Sequence, residues 1–424
     1  MPALAGRDHF AQKREQVSGS KRRQNAPGPH RESKRGLPGW LVGAIVVLIG
    51  GGALYFLMRT PSQRVAPDLP RRDASRAPVE PAGWTGRALA VTSLFHRVYT
   101  PCWEGAYGAI GDAYLFAATG DSSLFRFHVV DHDLRNMCDE RIWVDDEAWV
   151  CLAELKWWEV TGKGNMGLVL DAMRRYRQMR SEGRLSHHEG FWTWYNWPPG
   201  AQVGERIFTN SNMNQMVAVA CGLFQATGDR EYLKDALLVW NGDGKVPGIE
   251  KQWYKGNGIW RGRGGKAAFG KELPWDGLGC ASIAAALFRA TGQEKYRTIA
   301  VATARRLIDP STGWVDPSCF YQIHMDGNGA FVNFLFDAYA IAEKDLPEIP
   351  QRVERMLEHV WTNHEGHATV TLHRLADHGI RNGWNPHGGE DGYGVGEVGT
   401  VHAQGEAARA FGVFAYFHTE QAGR

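Results

Sequence analysis

A chain of 424 residues, 43% of them hydrophobic, is long enough to bury one large core or two ordinary ones, and six cysteines are too sparse for a disulfide-held scaffold. The formal charge of +2 is unevenly spread: nine of the 48 Lys and Arg but only three of the 46 Asp and Glu fall in residues 1–38, which leaves the remainder at −4. A slightly acidic body without a basic stripe excludes nucleic acid as a partner.

Residues 1–38 are polar and basic and suit a disordered tail. From Gly36 to Met58 only Gly36–Pro38 and an uncharged, mostly apolar run occur, with Trp40 and Tyr55 near its ends. Residues 39–58 are long enough to cross a bilayer as one helix, since about 20 residues at about 1.5 Å each span the hydrocarbon. The basic flank predicts a cytoplasmic N-terminus and an extracytoplasmic body, with the lipid bilayer as a partner of this helix. Residues 59–83 carry Pro61, Pro67, Pro70, Pro78 and Pro81 among several arginines, as an extended tether would. Residues 84–424 then form the main domain.

From about residue 84 the pattern is helical, and a short phrase recurs: Ala118-Thr119-Gly120-Asp121, Val160-Thr161-Gly162-Lys163, Ala226-Thr227-Gly228-Asp229 and Ala290-Thr291-Gly292-Gln293. Each copy ends a run rich in Ala, Leu and aromatics. Glycine after the last helical residue closes one helix and a polar residue opens the next, so each phrase predicts the turn of a helical hairpin. Irregular spacing and Gly-rich insertions such as Gly256–Gly270 fit a closed toroid with long loops at one end better than an open superhelix. The expected class is all-α. Cys151 and Cys221 fall within helical runs, where a small buried residue is the default.

The second hairpin begins with Trp143-Val144-Asp145-Asp146-Glu147-Ala148-Trp149. Paired carboxylates serve glycoside hydrolysis, one as acid and one as nucleophile or base, and indole faces suit a sugar ring. The same acids before an apolar run also suit an ordinary helix start, because carboxylates favour the positive end of the helix dipole. Seventeen tryptophans divide between the same two uses, a ring-lined groove and a helical core.

Later groups add candidates for sugar contact. Trp192, Trp194, Tyr195 and Trp197 precede Pro198-Pro199, and Asn210, Asn212, Asn214 and Gln215 lead into a helical run. Amides donate and accept, which suits hydroxyls, although one of them could simply cap the helix. Trp275 and Asp276 stand at another helix start, where Asp276 could bind sugar or cap. His324, Asp326 and Asn328 lie in a Gly-rich stretch, and His373, His378, His387, Asp391 and Glu397 crowd the last long one. The spacings in that last group match no short-spaced metal-ligand pair, so neither a metal nor another cofactor is expected. Gly392, Gly394 and Gly396 have no strand before them or Lys-Ser/Thr after them, unlike a nucleotide loop.

Helical pairs, Thr-Gly turns and an Asp-Asp-x-x-Trp motif leading the second hairpin resemble glycoside hydrolase family 76, the endo-α-1,6-mannanases. The likeness spans roughly residues 90–418. It rests on Asp145-Asp146-Glu147-Ala148-Trp149, and more loosely on Thr209–Gln215, Trp275–Gly279 and Val401–Ala407. A second Trp often follows the motif in the family, where this chain has Val150. The resemblance implies an (α/α)6 toroid and a retaining mechanism, with Asp145 as nucleophile and Asp146 as acid/base. Trp143, Trp149, Trp192, Trp194, Asn210, Asn212, Trp275 and Asp276 are then the candidate substrate contacts.

The expected function is a membrane-anchored glycosidase or transglycosidase acting on an α-mannan-like polysaccharide or oligosaccharide. Two alternatives stay open: a sugar epimerase or isomerase on the same toroid using the late histidines, and a non-catalytic glycan-binding envelope protein. The second would not need Asp145 and Asp146. Architecture alone does not choose, because one fold hosts many activities.

Overall fold

The computed structural model describes residues 82–99, 103–127, 144–181, 215–242, 248–260, 274–312, 328–362 and 401–422. The predicted tail, the predicted membrane helix at 39–58 and most of the tether lie outside them. The described residues form α1 (Gly83–Val98), α2 (Trp103–Thr119), α3 (Val144–Thr161), α4 (Met166–Ser181), α5 (Met216–Thr227), α6 (Arg230–Asn241), the short α7 (Ile249–Trp253), α8 (Pro274–Thr291), α9 (Glu294–Leu307), α10 (Asn328–Tyr339), α11 (Glu348–Thr362) and α12 (Val401–Ala422). Among the described residues extended pairing is limited to isolated bridges such as Tyr254–Trp260. Among the described residues no helix is long and apolar enough to cross a membrane.

Six helices make an inner ring. α2, α3, α5, α8, α10 and α12 each pack on the next, and α12 packs back on α2. Outside them lie α1 against α12 and α2, α4 against α3 and α5, α6 against α5, α9 against α8 and α10, and α11 against α10 and α12. This is the closed all-α toroid expected from the sequence.

Composition sorts the two rings. An inner helix is packed on nearly every side, so it is apolar nearly all round. In α5 Met216 through Cys221 and Leu223 are all buried. An outer helix buries one stripe: in α9 Tyr296, Ile299, Ala300, Val301, Thr303, Ala304 and Leu307 are buried, and Glu294, Lys295, Arg297, Arg305 and Arg306 fall among the other positions. The tryptophans follow the same logic. Trp149, Trp157, Trp240, Trp253, Trp260 and Trp361 are buried core residues.

The inner helices run parallel. Contacts between α10 and α12 advance together along both chains, from Gly329 beside Glu406, through Asn333 bonded to Arg409, to Phe336 stacked on Phe417. The hairpin turns explain this direction, and the four phrases share one geometry. Thr119, Thr161, Thr227 and Thr291 each donate a hydroxyl to the carbonyl four residues back, at 2.6–2.8 Å. Each also accepts the backbone N–H two residues on. The glycine between takes φ of 67°, 69°, 72° and 67°, the left-handed region that costs other residues about 1–2 kcal/mol. Its N–H bonds the i−4 carbonyl. Four inner helices therefore stop and reverse at the same end of the toroid.

The ring closes on a glycine seam between α2 and α12. A Cβ on Gly111 would sit 2.6 Å from the Arg409 Cα and collide with the Ala408 carbonyl; one on Gly412 would sit 2.9 Å from the Gly111 carbonyl carbon. Only glycine lets these backbones approach so closely. In the outer layer Arg87 of α1 pairs with Glu358 of α11, and Arg177 of α4 with Asp235 of α6 at 2.6 Å. Such half-exposed pairs contribute at most about 1 kcal/mol each, so the apolar rings carry the fold.

Candidate active site

Because the inner helices are parallel, the toroid has two unlike ends. The Thr-Gly turns occupy one. The other holds the N-termini of α3, α5, α8, α10 and α12, where the chain arrives through segments that include 128–143, 182–214, 261–273, 313–327 and 363–400, all outside the described residues. Trp143, Trp192, Trp194, Asn210 and Asn212 lie in those segments, as do His324, Asp326, His373, His378, His387, Asp391 and Glu397.

Asp145 and Asp146 fall in the first turn of α3, at this second end. Their face follows from the helix. Trp149 turns toward the ring axis, where its indole stacks on Phe334 of α10 at 5.8 Å and 25° and tilts against Tyr107 of α2 at 5.2 Å. Positions 145 and 146 are four and three residues earlier, so at about 100° per residue both share that inward face, one turn nearer the rim. Position 147 is about 160° away from Trp149 and belongs to the outward face.

Glu147 is indeed turned outward. It is 1% exposed and meets α4, where Tyr176 donates its hydroxyl to one carboxyl oxygen and Arg175 pairs with the other at 2.8 Å. Burial raises its pKa from 4.5 to about 7, and Arg175 and Tyr176 pull the other way without overcoming it. The turn that carries the acid pair is thus tied to the outer ring by a buried carboxyl. Two turns on, Glu154 accepts the Asn165 N–H at 2.6 Å and fixes the α3–α4 turn.

Beneath the acid positions the ring is filled. Arg409 of α12 is 1% exposed, and its guanidinium carbon lies 5.3, 5.2 and 5.4 Å from the ring centres of Tyr107, Trp149 and Phe334. Its Nε and Nη2 donate to Asn333 Oδ1 at 2.9 and 2.8 Å. Burial lowers its pKa from the usual value, against the pull of Glu406. Trp149 is 3% exposed, so what it touches is this cluster. Cation–π contacts strengthen when desolvated, to about 2 kcal/mol. The cluster is a rigid plug across the toroid.

Other predicted residues are distributed round the same end. Trp275 and Asp276 are in the first turn of α8. Position 275 is seven residues before Ser282, which bonds Asp337 of α10, so the two positions lie on one face of α8. Position 276 lies about 100° round from it. Gln215 is buried at the start of α5. Glu406 caps a neighbour: its carboxylate accepts the N–H groups of Gly329 and Ala330 in the first turn of α10, the latter at 3.1 Å. Among the described residues no cluster of His, Cys, Asp and Glu could hold a metal ion.

Glu147, Asn333, Glu406 and Arg409 were not among the sequence candidates. A signal existed for two of them: Asn333 and Arg409 are polar residues inside apolar helical runs, as in Ala407-Ala408-Arg409-Ala410-Phe411, and such residues need buried partners.

No protein-family model matches the sequence, and no curated protein does. Solved structures match well. A family 76 glycoside hydrolase (mannosidase) of Bacteroides thetaiotaomicron superposes with TM-score 0.58 at 15% identity, covering 80% of this chain and all of its own. An inactive variant of the α-1,6-mannanase of Salegentibacter sp. HEL1_6, with two adjacent aspartates replaced by asparagine and α-1,6-mannotriose bound, superposes with TM-score 0.56 at 15% identity over 78% of this chain and 99% of its own. Dfg5 from Chaetomium thermophilum, in complex with glucosamine, gives 0.54 at 12% identity over 75% and 80%. At these identities the likeness establishes the fold: the described helices build the toroid seen in family 76 structures.

Proposed function

We propose that this chain is a glycoside hydrolase or transglycosidase that acts on an α-mannan-like polysaccharide by a retaining mechanism. One observation carries the reading. Two adjacent aspartate positions share the inward face of an inner helix, at the rim, one turn above an aromatic plug. The solved likenesses support it, since they include mannanases, one of them inactive when two adjacent aspartates are changed.

The chemistry assigns unlike roles to the two carboxyls. Asp145 attacks the anomeric carbon, forming a glycosyl ester as the glycosidic C–O bond breaks, and Asp146 gives its proton to the departing oxygen. Water then attacks the same carbon while Asp146 takes the proton back, and Asp145 is freed. In transglycosylation a sugar hydroxyl replaces water. The retaining route asks for carboxyls about 5–5.5 Å apart, with one protonated and one charged. The α3 N-terminus favours the charged one. The aromatics of the segments before the inner helices, Trp143, Trp192 and Trp194, would supply stacking faces, with Asn210, Asn212, Trp275 and Asp276 beside them. Residues 39–58 would anchor the domain outside the cytoplasm.

The test is a pair of substitutions. Asp145→Asn should abolish turnover and leave oligosaccharide binding nearly intact. Asp146→Asn should fail on mannan oligomers yet keep activity on an aryl mannoside whose leaving group needs little protonation. If both variants cleave a substrate as fast as the wild type, the carboxylates are helix-start residues and the proposal is wrong.

A further inference from the structure

At the turn end of the toroid, on the far side of the Arg409 plug from the acid pair, the inner helices enclose a cavity of about 410 Å³. We infer that this cavity is a second saccharide-binding site, built for one or two sugar rings. The inference does not depend on the acid pair being catalytic.

Position comes first. The lining draws residues from all six inner helices, from their middle turns to the C-terminal ends of several, so the cavity is a feature of the closed ring and not of any one hairpin. Its volume lies in the range of about 300–1,000 Å³ usual for small-ligand sites.

Charge and surface then select the ligand. Lys156, Arg289 and Arg409 line it with positive charge, and Glu159, Asp337 and Glu343 with negative charge. Three cations against three carboxylates leave little net field, which disfavours a phosphate, a polyanion or a simple cation. What such a lining offers is many hydrogen-bond donors and acceptors close together. Tyr114, Tyr416 and Phe417 add aromatic surface on adjoining walls. A neutral ligand rich in hydroxyls and with apolar C–H faces meets both demands, and that is a sugar ring.

One group asks for an acceptor. Arg409 forms part of the lining and is 1% exposed, yet its Nη1 has no hydrogen-bond partner, whereas Nε and Nη2 are held by Asn333. An unsatisfied buried donor costs about 1–3 kcal/mol, more for a charged one, so a ligand hydroxyl at the bottom of the cavity would recover it. On the wall, Asp337 accepts the Ser282 hydroxyl at 2.6 Å, and a carboxylate keeps capacity for a second donor. Acceptor need at the base and acceptor supply on the wall suit a polyol.

The experiment is a calorimetric and NMR titration of the full chain carrying Asp145→Asn, so that no probe is consumed. The probes are α-1,6-mannobiose, maltose, cellobiose and chitobiose. Gln225→Trp closes the mouth from an exposed rim position without removing any lining charge, and Asp337→Asn removes one wall acceptor. At least one disaccharide should show a binding event that each change weakens about tenfold or more, with the melting temperature of Gln225→Trp unchanged. Binding that Gln225→Trp leaves untouched lies at the acid end or elsewhere and overturns the inference. So does the lack of any Gln225→Trp-sensitive event with all four probes at about 10 mM. A Gln225→Trp-sensitive event in a protein that fails the aspartate test would leave this site standing and the glycosidase reading refuted.

Discussion

Replacing Gly111 by alanine tests the seam on which the ring closes. In a helix interior this change alone gains about 1 kcal/mol, because alanine loses less backbone entropy than glycine. Here the new methyl would stand 2.6 Å from the Arg409 Cα and closer still to the Ala408 carbonyl. That is about 1 Å short of a comfortable contact at ~3.5 Å. The obstruction is backbone, so no rotamer change relieves it, and α2 and α12 must separate along a stretch that also holds Arg409 in its cage. Overpacking costs about 1–3 kcal/mol where side chains can adapt; with backbone on both sides the upper figure applies. After the propensity gain, Gly111→Ala should lose about 2 kcal/mol net. Two controls share the substitution and not the obstruction. At Gly222 the nearest atom is the flexible Leu155 Cδ1 at 2.9 Å, and at exposed Gly167 it is the Asn165 side chain at 3.6 Å. Gly222→Ala should be near neutral, and Gly167→Ala slightly stabilising. Urea unfolding of the three variants measures the order. If Gly111→Ala is as stable as Gly167→Ala, the close approach of α2 and α12 does not hold the ring.

Glu147 predicts a pH dependence. Its folded pKa of about 7 is above its ordinary 4.5, so the folded state binds the proton more tightly; stability is greatest below the lower value, falls as pH rises through the window and levels off above about 7. The fall is on the order of 3 kcal/mol, and Glu147→Gln should flatten it when unfolding is compared at about pH 5 and about pH 8. Gly228→Ala, at φ 72°, should cost about 1–2 kcal/mol in the same assay, whereas a turn indifferent to the change would contradict the left-handed stop. Trp194→Ala should weaken oligosaccharide binding by about 1–2 kcal/mol, and unchanged affinity in both Trp192→Ala and Trp194→Ala variants would remove that stretch from the groove. A C-terminal reporter active only in the cytoplasm would refute the anchor at 39–58.

What could be read from the sequence was whatever is local. The hairpin turns were legible because the Thr hydroxyl, the left-handed glycine and the next polar residue fall within four positions and repeat four times. Asp145 and Asp146 were legible because they are adjacent and open a helical run. The plug was not legible. Arg409 meets Tyr107, Trp149, Asn333 and Phe334 from three other helices, and no spacing within one helix announces such a meeting. Glu406 likewise looks like a surface residue until α10 is brought beside it. Nor did the tryptophan count separate core from groove: Trp157 and Trp240 pack in the interior, while the candidates at 192 and 194 stand in a Pro-bounded stretch that helical periodicity does not reach.

The seam between α2 and α12 has a consequence for how the protein comes apart and assembles. An open array of helical hairpins has free ends and can lose its terminal repeat while the rest survives. A ring has none: the first outer helix is bonded to the last, with Trp84 donating to Glu354 across 270 residues of chain, and the final helix caps α10 through Glu406 and seals α2. Fraying from an edge is therefore denied to it, and removal of α12 exposes the apolar flanks of two inner helices at once. Assembly shows the same dependence in reverse. α12, made after the other described helices, is the keystone, and until it arrives the hairpins before it form an unfinished arc with sticky ends. Folding that waits for contacts this distant in sequence is slow and open to misassociation, so a chain truncated before residue 401 should accumulate as aggregate and not as a smaller folded domain.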